Sequence, residues 1–426
     1  MERANYEGQA GRGVQRQEER PEARQGVGLV HSSPWQDASL EAGEGTNRLT
    51  NAIALSFVIV VVLICTLCRQ STACSAFVLH KGNECVMAFN ENWPGEAQGF
   101  VLINQPGRQK RGVTESELWV TKELKPDSAI RWTSKYGSIT FNCFGKDLPV
   151  FGVNEKGLMV AELAWGQQKP GKLQPGEKPI VWLAWEQYIL DQFATVDEAL
   201  DDIAKSKLGV QVDGHEFFVS DAKGKSGVVM CDVNGNFKVF RGKAMKHPLI
   251  CNGYPETDPD QLKAYRAFGG KEEMNSFRNF GVSDFGRRYA NGIHLLEAYN
   301  PEAQCAPAYA WMMLEVLNPG DWRFVYDAKA HRAAFCTLRH PKIKWVDFDD
   351  IRLGADKPTM ILDVQTEPEG DALNRCVPLT SENLLALLKP SYLWGMQGPS
   401  PDPAGFSQSG GEAMIQVSHK YGMLTP

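Results

Sequence analysis

The sequence has no excess of basic residues. Forty-five Lys and Arg face 51 Asp and Glu across 426 residues, giving a formal charge of −6. A nucleic-acid binder that relies on bulk charge is therefore excluded, because polyphosphate rewards a basic surface. Histidine is scarce, with eight residues and no pair at helical metal-ligand spacing. HExxH, GxSxG, GxxxxGK[ST] and GxGxxG are all missing. These gaps exclude the common zinc-protease, nucleophile-elbow, P-loop and dinucleotide-binding signatures. Beyond residue 73 there is no CxxC pair, which removes the usual zinc-ribbon and thioredoxin-type readings. Apolar residues are not lacking: 43% hydrophobic against 23% charged excludes a globally disordered chain.

What is present is uneven. Residues 1–49 are rich in Gly, Glu, Gln and Arg, lack apolar periodicity and read as a disordered lead. An uncharged apolar run of 17 residues follows, AIALSFVIVVVLICTLC, at 52–68. Its length falls between a signal-peptide core and a spanning helix. The small residues Ser71 and Ala73 mark an A-x-A-like cleavage site before Cys74. Residues 50–73 thus read as a signal peptide cut by signal peptidase, or as a retained membrane anchor. The first makes the protein exported, periplasmic or extracellular; the second anchors it through 52–68. Cutting after Ala73 removes seven basic and eight acidic residues and leaves a charge of −5.

The remainder reads as one large domain with hairpins. Strands are predicted at 74–80 and 84–90 around Lys81-Gly82-Asn83, at 138–144, and as a pair within 149–165 around Asn154-Glu155-Lys156-Gly157. Helices follow at 181–193 and after the capping box Thr195–Glu198. Further strands are predicted at 216–221, 227–233 and 237–240, with turns at Lys223-Gly224 and Asn234-Gly235. Helices near 284–299 and 307–317 precede a hairpin at 322–327 and 332–338. Paired strands, rather than strands alternating with helices, indicate an α+β protein with antiparallel sheets covered by helices. Residues 355–426 read as an extension with one helix, Ser381–Lys389, and a loose tail from about 396.

Cys74 would be the first residue of a processed chain. A thiol beside its own α-amino group needs no separate histidine, because an amine with a reference pKa near 8 can take the thiol proton and later return it to a leaving amine. The bland alternative is an accidental first residue.

Several stretches resemble the choloylglycine hydrolase and penicillin V acylase family of N-terminal nucleophile (Ntn) hydrolases, the linear amide C–N hydrolases. They are ACSAFVLHKGNECVMAFNENW (73–93), RWTSKYGSITFNCFGKDLPVFGVNEKGLMVAELAW (131–165), ILDQFATVDEAL (189–200), LICNGYP (249–255), DFGRRYANG (284–292) and WRFVYDAKAHRAAFCTL (322–338). The resemblance implies a four-layer αββα sandwich over 74–354 and amidase activity on an N-acylated small molecule through a thioester. It implies Cys74 as nucleophile, Asn252 as side-chain oxyanion donor and a backbone N–H near Ala164 as the second donor. It places Arg288, or Arg287 one step out of register, beside the nucleophile. Asn92 stands where many members carry an Asp that orients the α-amine, and Phe89 stands where they carry an Arg. Glu91, next to Asn92, is expected on the opposite strand face. Phe89, Trp93, Trp165 and Trp182 are candidates for an acyl pocket, or plain core. Family members act on bile-salt amides, phenoxyacyl β-lactams and N-acyl lactones, need no metal or cofactor, and often form homo-oligomers. The departures at Phe89 and Asn92 leave a second reading open, a non-catalytic or weakened binding protein on the same fold.

Overall fold

The computed structural model describes residues 74–92, 98–113, 129–164, 175–205, 208–211, 214–231, 237–274 and 285–397. The apolar run at 52–68, the polar lead, the turn at Asn234-Gly235 and the tail beyond 397 lie outside these residues. Among the described residues no helix is long and apolar enough to cross a membrane.

The first elements are β1 (Ser75–Lys81) and β2 (Glu84–Glu91), then β3 (Phe100–Asn104), β4 (Gln109–Arg111) and β5 (Arg131–Thr133). Strands β6 (Ser138–Asn142), β7 (Pro149–Asn154), β8 (Met159–Ala164) and β9 (Lys178–Val181) lead into helices α1 (Trp182–Gln192) and α2 (Val196–Lys205). Strands β10 (Leu208–Gln211), β11 (His215–Ser220), β12 (Ser226–Cys231), β13 (Phe237–Arg241) and β14 (Leu249–Ile250) follow. Helices α3 (Phe285–Ala298) and α4 (Ala306–Leu317) precede β15 (Trp322–Asp327), β16 (Arg332–Thr337) and β17 (Lys344–Asp347). The last elements are β18 (Met360–Asp363), β19 (Gly370–Asp371), β20 (Val377–Pro378) and helix α5 (Ser381–Gln397).

Two sheets result. The first has the order β14-β1-β2-β15-β16-β17-β19, the second β13-β12-β11-β8-β7-β6-β3-β18-β20. Pairing within the two large sheets is antiparallel apart from β17–β19 in the first, and β9–β10 is also parallel. Alternation along each strand divides the side chains between two faces. On β1 and β2 the inward set includes Ala76, Val78, Met87 and Phe89, while Phe77, Leu79, Val86 and Ala88 point outward. The inward set meets the second sheet through aromatic contacts, with Phe89 4.8 Å from Phe151 and Phe141 5.3 Å from Phe324 between ring centroids. The outward set packs on α3 and α4 through Tyr289, Ile293, Met313 and Leu314. On the far side α1 covers the second sheet, close enough at Gly152 that a Cβ there would lie 2.9 Å from Leu190 Cδ1.

Polar residues fix the corners. Asn154 Nδ2 donates to the Leu190 and Phe193 carbonyls at 2.8 and 2.7 Å, while its Oδ1 accepts from the Lys156 and Leu158 amides. One turn side chain therefore ties the β7–β8 hairpin to the end of α1. The buried Lys110 ammonium sits between Asp147 and Asp191, at 2.8 and 3.1 Å, and holds β4 against α1. The capping residues meet as expected at one end: the Glu198 amide donates to Thr195 Oγ1 at 3.3 Å. The Glu198 carboxylate reaches back to the Ala194 amide instead of that of Thr195.

Strands were expected to stop before 355. The structure differs: β18 pairs with β3 in the second sheet and β19 pairs with β17 in the first. Met360–Asp363 has only four residues, too short a run for periodicity to separate from loop. All eight described cysteines are free, so none of the bridges that export would have permitted is formed among them.

Candidate active site

Cys74 immediately precedes β1, with 3% of its surface exposed. The β1–β2 register runs from Lys81 opposite Glu84 to Ser75 opposite Asn90. One step further places Cys74 opposite Glu91, and alternation points both inward. The expectation that Glu91 faces away from Cys74 is thus corrected. The opposite-face argument separates Glu91 from Asn92, but it is Glu91 that shares the face of Cys74. The Cys74 thiol hydrogen-bonds the Glu91 carboxylate. Asn92 follows the end of β2 and meets the thiol through its backbone N–H.

Arg288, the fourth residue of α3, is the hub of the site. Nη1 donates to the Cys74 carbonyl at 2.7 Å and to Ser75 Oγ at 2.8 Å. Nη2 donates to the Cys251 carbonyl at 2.9 Å and to Asn252 Oδ1 at 3.2 Å. A planar guanidinium with five donors can span two strands in this way, whereas an ammonium cannot hold the same fork. Of the two arginines, Arg288 is the one turned onto Cys74 and Ser75.

Asn252 follows β14 with φ +54°, in the left-handed region that Asn tolerates better than most residues. Gly253 is required beside it, since a Cβ would fall 2.1 Å from Asp258 Oδ2. Asn252 Nδ2 donates to the Ala164 carbonyl at 2.7 Å. Ala164 meets Asn252 through its C=O, a contact separate from the backbone N–H role that the resemblance implies near this residue. One amide hydrogen of Asn252 is engaged by that carbonyl and a second remains.

Carboxylates dominate the electrostatics. Burial, then the charge of Glu91, pushes the Cys74 thiol well above its usual range; the Asn92 amide and Arg288 pull the other way. Burial and neighbouring Asp321 push Glu91 up to about 8. Glu162 on β8 is raised by burial and then by Glu91, and Glu186 on α1 by burial and then by Glu162. Glu216 on β11 is raised by burial and by Asp258, with Arg288 opposing. A cluster of this kind was not visible in the sequence, because its members lie on four elements. Only Glu91 left a signal, through its position on the hairpin.

The aromatic candidates separate. Phe89 is fully buried against the tilted ring of Phe151, part of the core between the sheets. Trp182 stacks on His215 at 4.1 Å on the α1 side of the second sheet. Trp93 and Trp165 lie outside the described residues. Among the described residues no group of His, Cys, Asp and Glu forms a metal site.

A sequence model of the linear amide C-N hydrolases, choloylglycine hydrolase family, matches residues 104–253. The chain is similar to the choloylglycine hydrolases. That match includes Ala164 and Asn252; Cys74 and Arg288 lie outside it. A penicillin V acylase of Pectobacterium atrosepticum is 28% identical over 283 residues, 56% of this chain and 74% of that protein. Penicillin V acylase from Agrobacterium tumefaciens superposes with TM-score 0.60 at 20% identity, over 72% of this chain and 98% of that one. A mutant of conjugated bile acid hydrolase from Clostridium perfringens gives 0.53 at 14%, over 70% and 98%. The fold is the αββα sandwich of the Ntn hydrolases. The family that the sequence model describes acts on linear amide carbon–nitrogen bonds.

Proposed function

We propose that the chain, cut between Ala73 and Cys74 on export, is an N-terminal-cysteine amidase of small N-acylated molecules. The observation that carries this reading is the Arg288 fork, which joins the main chain of Cys74 to the side chain of Asn252. Cys74 sulfur attacks the amide carbonyl carbon. The free hydrogen of the Asn252 amide, with a backbone N–H, holds the developing oxyanion. The Cys74 α-ammonium protonates the leaving nitrogen as the C–N bond breaks, and water then hydrolyses the thioester. The acylated amides on which relatives are named, penicillin V and conjugated bile acids, define the first compounds to try.

Two measurements test it together. Mass analysis of the exported protein should place its first residue at Cys74, and a slow acyl amide should trap an acyl group on the Cys74 peptide. Cys74→Ala should abolish hydrolysis, and Asn252→Ala should lower kcat by about 100-fold, the usual cost of one oxyanion donor. A mature N-terminus elsewhere, or full hydrolysis by Cys74→Ala, sinks the reading. The raised thiol favours a second reading, a binding protein with a silent nucleophile. Trapped acyl-enzyme rejects that second reading.

A further inference from the structure

Glu91 is not assigned a role by the family pattern, which puts the orienting carboxylate at the position of Asn92. Here the neighbouring position supplies it. Cys74 and Glu91 are equally distant from the two-residue turn Gly82-Asn83, so the hairpin register alone sets them face to face. Both are buried, and the thiol reaches the carboxylate. The Glu91 Oε2 atom is buried with no hydrogen-bond partner among the described residues. The main chain of Glu91 is pinned as well, its carbonyl accepting from the Asp321 amide at 2.7 Å.

We propose that Glu91 is a catalytic residue, the group that accepts the proton of the Cys74 thiol. The step rests on the cysteine-nucleophile reading above. Sulfur gives its proton to a Glu91 carboxylate oxygen while the S–C bond forms at the acyl carbon and the carbonyl π pair moves to oxygen. Collapse breaks the C–N bond, and the leaving nitrogen takes a proton from the Cys74 α-ammonium. Glu91 then returns its proton to that amine, so no proton is gained or lost. The groups facing Glu91 are Cys74 from β1, Asp321 ahead of β15, Glu162 from β8, Glu186 from α1 and Cys143 after β6. Burial and the acidic neighbours keep Glu91 protonated until about pH 8, and it becomes a base only above that. Among the described residues Arg288 is a cation that acts on the thiol and lowers it.

The α-amine also has a reference pKa near 8, so a rate limb at that pH does not by itself identify the acceptor. Alkylation of Cys74 by iodoacetamide, read on the Cys74 peptide by mass, separates the two. In the full chain Cys74 is in a peptide bond and has no free amine; in the chain beginning at Cys74 it has one. Assignment to Glu91 predicts a rise in rate in both, through about pH 8 in the full chain and at lower pH in the freed chain, where the α-ammonium favours the charged carboxylate. It predicts that Glu91→Gln flattens the rise and lowers kcat/KM by about 100-fold or more, the range for a lost proton acceptor. Glu91→Asp, which shortens but keeps the carboxylate, should recover part of the limb. A limb confined to the freed chain, or a Glu91→Gln enzyme with the parental profile, overturns the proposal. If Glu91→Gln does not fold, the comparison of the two unmutated chains decides. An intact alkylation limb without acyl-enzyme on any acyl amide would sink the amidase reading and leave proton transfer to Glu91 standing.

Discussion

A single guanidinium holds the start of the Cys74 strand, the Asn252 turn and α3 in one arrangement. Arg288→Lys keeps the charge but loses the fork. We expect kcat/KM to fall by about 10- to 100-fold, most of it in kcat, because misplacement by about 1 Å is enough for such a loss. Steady-state kinetics on an acyl amide checks this. Glu91 gives a stability prediction whose sign follows from its shift. Its folded pKa, about 8, is raised above the ordinary value of 4.5, so between those values the folded state binds the extra proton. Stability is fully present below about 4.5 and is lost as pH rises through 8. Thermal melting from pH 5 to 8 should show a falling Tm, and Glu91→Gln should flatten the slope. At this scale the sequence was partly legible. The motif strings pointed to Cys74, Asn252 and Arg288, which the structure brings together. Glu91 was misread because its face was judged against Asn92 and not against Cys74, although the turn already contained the register.

Elements with strong local signals were legible. The predicted hairpins at 74–90 and 322–338 and the helix at 181–193 appear within two residues of the expected bounds. Strands β3, β9, β10 and β17 were not anticipated. Their short runs acquire strand form from neighbours distant in sequence, as Leu102 does opposite Thr140 on β6 and Ile361 on β18. The contact of α1 with the second sheet is close at Gly152. Gly152→Ala would set a methyl 2.8 Å from the Ile139 carbonyl and 2.9 Å from Leu190 Cδ1. The backbone carbonyl cannot yield as a side chain can, so we expect a loss of about 1–3 kcal/mol, measured as a lower urea midpoint with an unchanged slope.

Across the whole molecule, the sandwich extends into residues that composition assigned to an appendage. A chain ending at residue 354 would lack β18, β19 and β20, and it would leave β3 as an unpaired edge of the second sheet. We expect that truncation to aggregate or to melt without cooperativity, by scattering and calorimetry, because β3 is apolar and fully buried. The expectation of an extension after 354 rested on loop-like composition, which could not reveal three short strands divided between the two facing sheets. Their placement has a mechanical consequence. From the C-terminus inward, the segments belong to the second sheet at β20, the first at β19 and the second again at β18. Tension applied at that end would peel the outermost strands from the two sheets in turn, as a lace is drawn through facing eyelets. Each release would leave β1, β2 and the Arg288 fork still seated. Single-molecule traces should therefore begin with small, separate extensions, and the large rupture that opens the nucleophile strand should come last.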